Sequence, residues 1–98
     1  MIVYGKEILE TFVLKHAITE NAVDRWLQIV EENTFKNFND VKILFPSADY
    51  VGNERYVFNL KGNNYRIITV IVFTGNAFVV RWIGTHADYT KIEDCSKI

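Results

Sequence analysis

The stretch RYVFNLKGNNYRIITVIVFTGNAFVVRWIG, Arg55–Gly84, decides the fold. Val, Ile, Phe and Tyr crowd Arg55–Leu60, Tyr65–Phe73 and Ala77–Gly84, the composition of three strands. Lys61-Gly62-Asn63-Asn64 and Gly75-Asn76 separate them, and Gly and Asn accept the positive φ that tight turns need. Two hairpins in series make an antiparallel meander. If Gly75-Asn76 is a two-residue turn, Thr74 pairs with Ala77, Val70 with Arg81, Ile68 with Ile83 and Arg66 with Thr85. If the other loop leaves Leu60 opposite Tyr65, Arg55 also lies opposite Val70.

That register sorts the side chains. One face is expected to carry Tyr56, Phe58, Leu60, Ile67, Ile71, Phe73, Phe78, Val80 and Trp82, the bulky set that helices cover. The other is expected to carry Arg55, Asn59, Arg66 and Arg81 among Val57, Ile68, Val70, Val72 and Ile83. A three-residue turn would slip the register and move Arg81 across the sheet. The two-residue turn is preferred because it keeps every strand arginine away from the aromatic core.

Working outward, the first third reads as helical. Ile8, Leu9, Phe12 and Val13 form an apolar stripe within Gly5–His16. Thr19 is expected to cap a second helix by accepting a backbone N–H, with Val23, Trp26, Leu27 and Val30 on its buried side. Met1–Tyr4 is read as a short edge strand, and Phe35–Phe45 as a helical turn followed by irregular chain before Pro46. Helices first and strands after predict an α+β fold, one domain over residues 1–98, with the helices on one sheet face and a short helical segment at the C-terminal side.

Charge follows the same division. The formal net charge is −1, which argues against a uniformly basic coat for nucleic acid. Residues 1–34 hold six acids and three bases, −3; residues 35–87 hold three acids and six bases, +3; residues 88–98 hold three acids and two bases, −1. A basic sheet half is thus joined to an acidic helical half. The single cysteine, Cys95, fits a reducing cytoplasm. Met1–Lys6 lacks the features of a secretory signal. The longest uncharged stretch, Ile67–Val80, is too short for a membrane span and is interrupted at Thr74-Gly75-Asn76.

After the last strand comes Gly84-Thr85-His86-Ala87-Asp88-Tyr89. One helical turn places His86 and Tyr89 on the same side, at the strand end that holds Arg66. A histidine, a tyrosine and arginines on one sheet face suit RNA cleavage by the ribose 2′-hydroxyl. Arginines hold the phosphate and stabilise its developing charge, and an imidazole moves protons at neutral pH. The bland reading is a solvated sheet face and a helix cap, but it leaves the apolar residues among the arginines unexplained. Those call for cover, by a partner or by the C-terminal segment. Trp26 and Trp82 read as core anchors, and His16 as a complement to the first helix's dipole. No spacing of His and Cys converges on a metal, and no Gly-x-Ser-x-Gly elbow is present.

Four segments, Phe45-Pro46-Ser47-Ala48-Asp49, Val51–Asn59, Gly62-Asn63-Asn64-Tyr65-Arg66 and Gly84–Tyr89, together resemble the motif string of HigB-type toxins, members of the RelE-like superfamily of bacterial type II toxin–antitoxin systems. The resemblance runs from the first helix to about Ile92. It implies a RelE-like toxin domain, two N-terminal helices on an antiparallel sheet. It also implies an mRNA interferase that needs no metal or other cofactor, acts on messages engaged by the ribosome and is inhibited by a HigA-type helix-turn-helix antitoxin. By resemblance, Arg66 and Arg81 bind and stabilise the phosphate, and His86 and Tyr89 carry acid–base work or orient the substrate. Arg55, Lys61, Asn59 and Lys91 are expected to contact the RNA. Which of His86 and Tyr89 is the base stays open. The competing reading is a non-catalytic module of the same shape that binds antitoxin or RNA without cutting. RelE-like toxins are commonly basic, and the slight acidity of this chain departs from that pattern.

Overall fold

A computed structural model describes residues 1–98, with Cα extents of 33 × 29 × 22 Å. The chain runs β1 (Ile2–Tyr4), α1 (Lys6–Lys15), a 3₁₀ turn (Ala17–Thr19), α2 (Glu20–Glu32), α3 (Phe38–Leu44), β2 (Asp49–Gly52), β3 (Arg55–Leu60), β4 (Tyr65–Val72), β5 (Ala77–Thr85) and α4 (His86–Thr90), then a second 3₁₀ turn (Cys95–Lys97). The strands form one sheet in the order β1-β5-β4-β3-β2. β1 pairs parallel to β5 and every other pair is antiparallel. The meander and the β1 edge strand therefore stand as expected. β2 extends the sheet beyond the three expected strands, pairing Asp49 with Val57. Its Asp49-Tyr50-Val51-Gly52 carries too few apolar residues to stand out by itself.

Helices α1 to α3 cover one face. Leu9, Val23, Trp26, Val30, Phe35 and Val41 pack with Phe58, Ile67, Ile71, Phe78 and Val80 in one buried cluster. Burial of apolar area at about 25 cal/mol per Å² holds the helices there, with aromatic edges fitted together: Trp26 meets Phe58 at 5.5 Å and Phe78 at 6.0 Å between ring centres. Gly5 has φ +82, and a Cβ there would lie 2.6 Å from the Val80 carbonyl oxygen. The start of α1 can approach β5 this closely only without a side chain. The Thr19 hydroxyl does not accept an N–H as expected. It donates to the His16 carbonyl at 2.7 Å, because Thr19 is itself in the αR region rather than the extended conformation of a capping residue. His16 stacks on Phe12 at 4.2 Å.

The β3–β4 register is as expected, Arg55 opposite Val70 and Leu60 opposite Tyr65. The β4–β5 register is not. Val72 pairs with Ala77, so Phe73–Asn76 form a four-residue loop closed by Asn76 N–H to the Phe73 carbonyl at 3.3 Å. The pairing then shifts by one between Ile68 and Thr69, leaving Arg81 as the extra residue of a β-bulge. Phe78 and Val80 still face the helices. Beyond the bulge the alternation inverts: Ile83, opposite Ile67, joins the core at 8% exposure, while Trp82, opposite Ile68, turns to the other face. The expected places of Trp82 and Ile83 are thus exchanged, and Arg66 pairs with Gly84 rather than Thr85.

Candidate active site

The face away from the helices holds most of the residues expected to carry chemistry. Arg55, Val57, Asn59, Arg66, Ile68, Val70 and Trp82 share it by register. Ile68 is fully buried and Val57 is 4% exposed, so this face is covered too. The cover is the chain's own C-terminal run, α4 followed by the Cys95–Lys97 turn, which returns across the sheet to β2.

β5 leads directly into α4. Thr85 Oγ1 accepts the Asp88 N–H at 3.1 Å and caps the new helix. The His86 N–H donates to the Asn64 carbonyl at 2.8 Å, tying α4 to the β3–β4 loop. On the same face, the Trp82 ring lies over Gly84, where a Cβ would fall 2.5 Å from Cη2 and Cζ2. That indole also meets Tyr89, 6.3 Å between ring centres. An absent side chain at Gly84 thus lets Trp82 brace Tyr89.

Arg66 is 7% exposed. Its Nη1 donates to the carbonyls of Asn63 and Tyr65 at 3.0 and 3.2 Å, and its Nη2 to Asn63 Oδ1 at 2.8 Å. No carboxylate pairs with it, since all three ion pairs of the molecule are formed by lysines. Its guanidinium carbon lies 5.6 Å from the centre of the Tyr89 ring, within cation–π range. Three of its five donors are committed, so a buried positive charge stands beside Tyr89 with donors to spare. Tyr89 responds to this setting. Burial first, and then the adjacent Cys95 side chain, push its phenol up to about 12, against the lowering effect of Arg66. The phenol is therefore protonated at neutral pH.

The expected residues do not form a single cluster. Arg66 and Tyr89 meet where β4 begins and α4 starts, and His86 opens α4 three residues before Tyr89 with its side chain exposed. Arg81, from the bulge, is turned instead towards the C-terminal turn, its Nε donating to the main-chain oxygen of Ile98, the last residue, at 3.0 Å. Arg55 reaches the same oxygen with Nη2 at 3.3 Å. Asn59 Nδ2 donates to Asn63 Oδ1 at 3.3 Å. Lys61 projects from the loop at φ +49, exposed. Lys91 stands 4.0 Å from Asp88, both side chains in solvent. Sequence reasoning passed over Asn63, which grips Arg66 with both its carbonyl and its amide oxygen, and Cys95, which sits against Tyr89. The signal for Asn63 was its place after Gly62, whose φ of +66 folds the loop back on β4.

The family described as HigB_toxin, RelE-like toxic component of a toxin-antitoxin system, matches residues 19–92. A protein named mRNA interferase HigB from Escherichia coli O6:H1 (strain CFT073) is 29% identical over 94 residues, covering 94% of this chain and 91% of that protein. The mRNA interferase toxin HigB of Escherichia coli K12 and the mRNA interferase HigB of Shigella flexneri are each 32% identical over 63 residues, 61% of this chain and 60% of theirs.

Proposed function

This chain belongs to the HigB family of RelE-like toxins, and on that premise we propose that it is the toxin of a toxin–antitoxin pair and an endoribonuclease that cuts mRNA. The observation that carries the reading is the Arg66–Tyr89 pair on the face away from the helices, with His86 one helical turn before Tyr89.

The reaction follows from the groups present. Arg66 binds the scissile phosphate with its uncommitted donors and offsets the charge that builds on its oxygens. His86 takes the proton of the ribose 2′-hydroxyl. The 2′-oxygen forms a bond to phosphorus as the bond to the 5′-oxygen breaks, giving a 2′,3′-cyclic phosphate. Tyr89, held protonated, donates to the departing 5′-oxygen. The phenol's raised pKa supports this division of roles. Lys61, Asn59 and Lys91 contact the RNA backbone around the site. The partner is a HigA-type helix-turn-helix antitoxin, and the substrate is mRNA engaged by the ribosome, in the cytoplasm.

Inducible expression in bacteria tests this. The intact chain should arrest growth and leave mRNA fragments with 2′,3′-cyclic phosphate ends, while Arg66→Ala and His86→Ala should do neither. Full toxicity in both variants would remove the site assignment. Tight binding of the antitoxin with no cleavage by the intact chain in a translating extract would instead identify a non-catalytic module.

A further inference from the structure

The helix-covered side of the molecule carries a cleft that the candidate active site does not use. α2, the end of α3 and the β3–β4 turn enclose about 260 Å³ there. Ala22, Ile29, Leu44, Phe45 and Leu60 supply apolar walls, Arg25 and Lys61 add two cations, and no acidic residue lines it. Arg25 is the only base of α2, a helix that also carries Glu20, Asp24, Glu31 and Glu32. Neither Arg25 nor Lys61 belongs to an ion pair. Two uncommitted cations thus meet one apolar hollow, in a helical half whose net charge is −3.

Trp26 adds an unused donor. Its indole lines the cleft and is 2% exposed, fixed by the rings of Phe58 and Phe78. Its Nε1–H is buried and has no hydrogen-bond partner. An indole N–H can only donate, a buried Trp normally finds an acceptor for it, and leaving it unmade is costly. The side chains of Arg25 and Leu44 are exposed and change rotamer quickly, which lets an acceptor enter from solvent. An acceptor beside two cations is best a carboxylate, because charge-assisted hydrogen bonds are about twice as strong as neutral ones. A phosphate, hydrated on every side, would leave most of its oxygens unmet against such walls. The volume lies just below the range of about 300–1,000 Å³ usual for ligand sites, so the apolar body is small, no larger than one aromatic or branched group.

We propose that this cleft is a binding site for a small apolar carboxylate, its charge facing Arg25 and Lys61 and one oxygen accepting the Trp26 Nε1–H. The site does not depend on the endoribonuclease reading. Asn59 and Lys61, which line it, belong to the turn whose Asn63 grips Arg66, so an occupant lies against the turn that holds the candidate catalytic arginine.

N-acetyl-L-phenylalanine and its amide test this with the full chain, because they share one body and differ in the charge. The chain has two indole N–H resonances, from Trp26 and Trp82, and Trp82→Phe tells them apart. In ¹H–¹⁵N spectra the acid should move the Trp26 resonance and leave that of Trp82, on the other sheet face, in place. It should bind about tenfold more tightly than the amide, the scale of one hydrogen bond to a charged group. Arg25→Gln combined with Lys61→Gln, both at exposed positions, should remove that preference and leave the affinity for the amide nearly unchanged. A Trp26 resonance that stays in place at tens of millimolar acid, equal affinity for acid and amide, or the full preference in the double variant would each overturn the site. If the double variant does not fold, the comparison of acid with amide on the unaltered chain decides alone. Binding of the blocked peptide acetyl-Glu-Phe-Glu-amide where the acid leaves the resonance unmoved would assign the cleft to a protein segment and overturn the small-molecule assignment.

Discussion

The guanidinium of Arg66 lies 5.6 Å from the centre of the Tyr89 ring, a cation against an aromatic face, with Asn63 gripping the cation from behind. A lysine would keep the charge but not the planar fork that reaches two oxygens of Asn63 while facing the ring. Arg66→Lys should therefore lower kcat about a hundredfold, the scale of losing one aligned donor to a developing charge. KM should change far less, as read from single-turnover cleavage of a purified message.

Tyr89 should be the last phenol to ionise. Its value is raised to about 12 from a free value near 10, so the fold favours the protonated form. The stability this contributes is whole below about pH 10 and is lost as pH rises towards 12. Absorbance at 295 nm should show a final phenolate step near that pH, absent from Tyr89→Phe. A Tyr89→Phe titration superimposing on that of the unaltered chain would contradict the raised value in this half-buried setting.

If His86 is the base and Tyr89 the donor, the two variants should differ in their dependence on the leaving group. A substrate with sulfur in place of the scissile 5′-oxygen departs without a proton, so it should restore most of the cleavage rate lost in Tyr89→Phe and little of that lost in His86→Gln. Restoration in His86→Gln with none in Tyr89→Phe would reverse the roles.

Gly84 is where Trp82 gains its seat. A Cβ at 2.5 Å from two ring atoms must push the indole aside, so Gly84→Ala should cost about 1–3 kcal/mol, the usual penalty of overpacking. Truncating the ring should relieve it. Urea midpoints should show that adding Gly84→Ala to a Trp82→Ala chain costs much less than adding it to the unaltered one.

The bulge makes its own forecast. Ile83 lies in the helix-covered core and Trp82 does not, so Ile83→Ala should lose about 2–4 kcal/mol of stability by leaving a cavity. It should leave the pH profile of cleavage unaltered. Trp82→Ala should act mainly on catalysis, by freeing Tyr89.

Much of this molecule follows from local pattern. The strands β3 to β5, the helical first third, the turn at Gly62-Asn63-Asn64 and the shared face of Arg55 and Arg66 follow from period-two and helical alternation, because burial on one side forces the chain to repeat at the period of its backbone. Gly84–Tyr89 marked the candidate site because a strand end running into a helix brings His86 and Tyr89 to one side. What local pattern misplaced depends on counting residues through a turn, where the pattern predicts a two-residue Gly75-Asn76 turn. A four-residue loop and one extra residue at Arg81 return the register nearly to its expected course but invert the alternation beyond the bulge, and Trp82 and Ile83 change places. Nothing local distinguishes those loops; the packing of Ile83 into the core and of Trp82 over Gly84 does. Nor could spacing show that Ile98 lies between Arg55 and Arg81, 43 and 17 residues away. Such contacts exist only once the chain has closed on itself. They divide the arginines that the expected register had grouped, giving Arg66 to Tyr89 and the other two to the C-terminal turn.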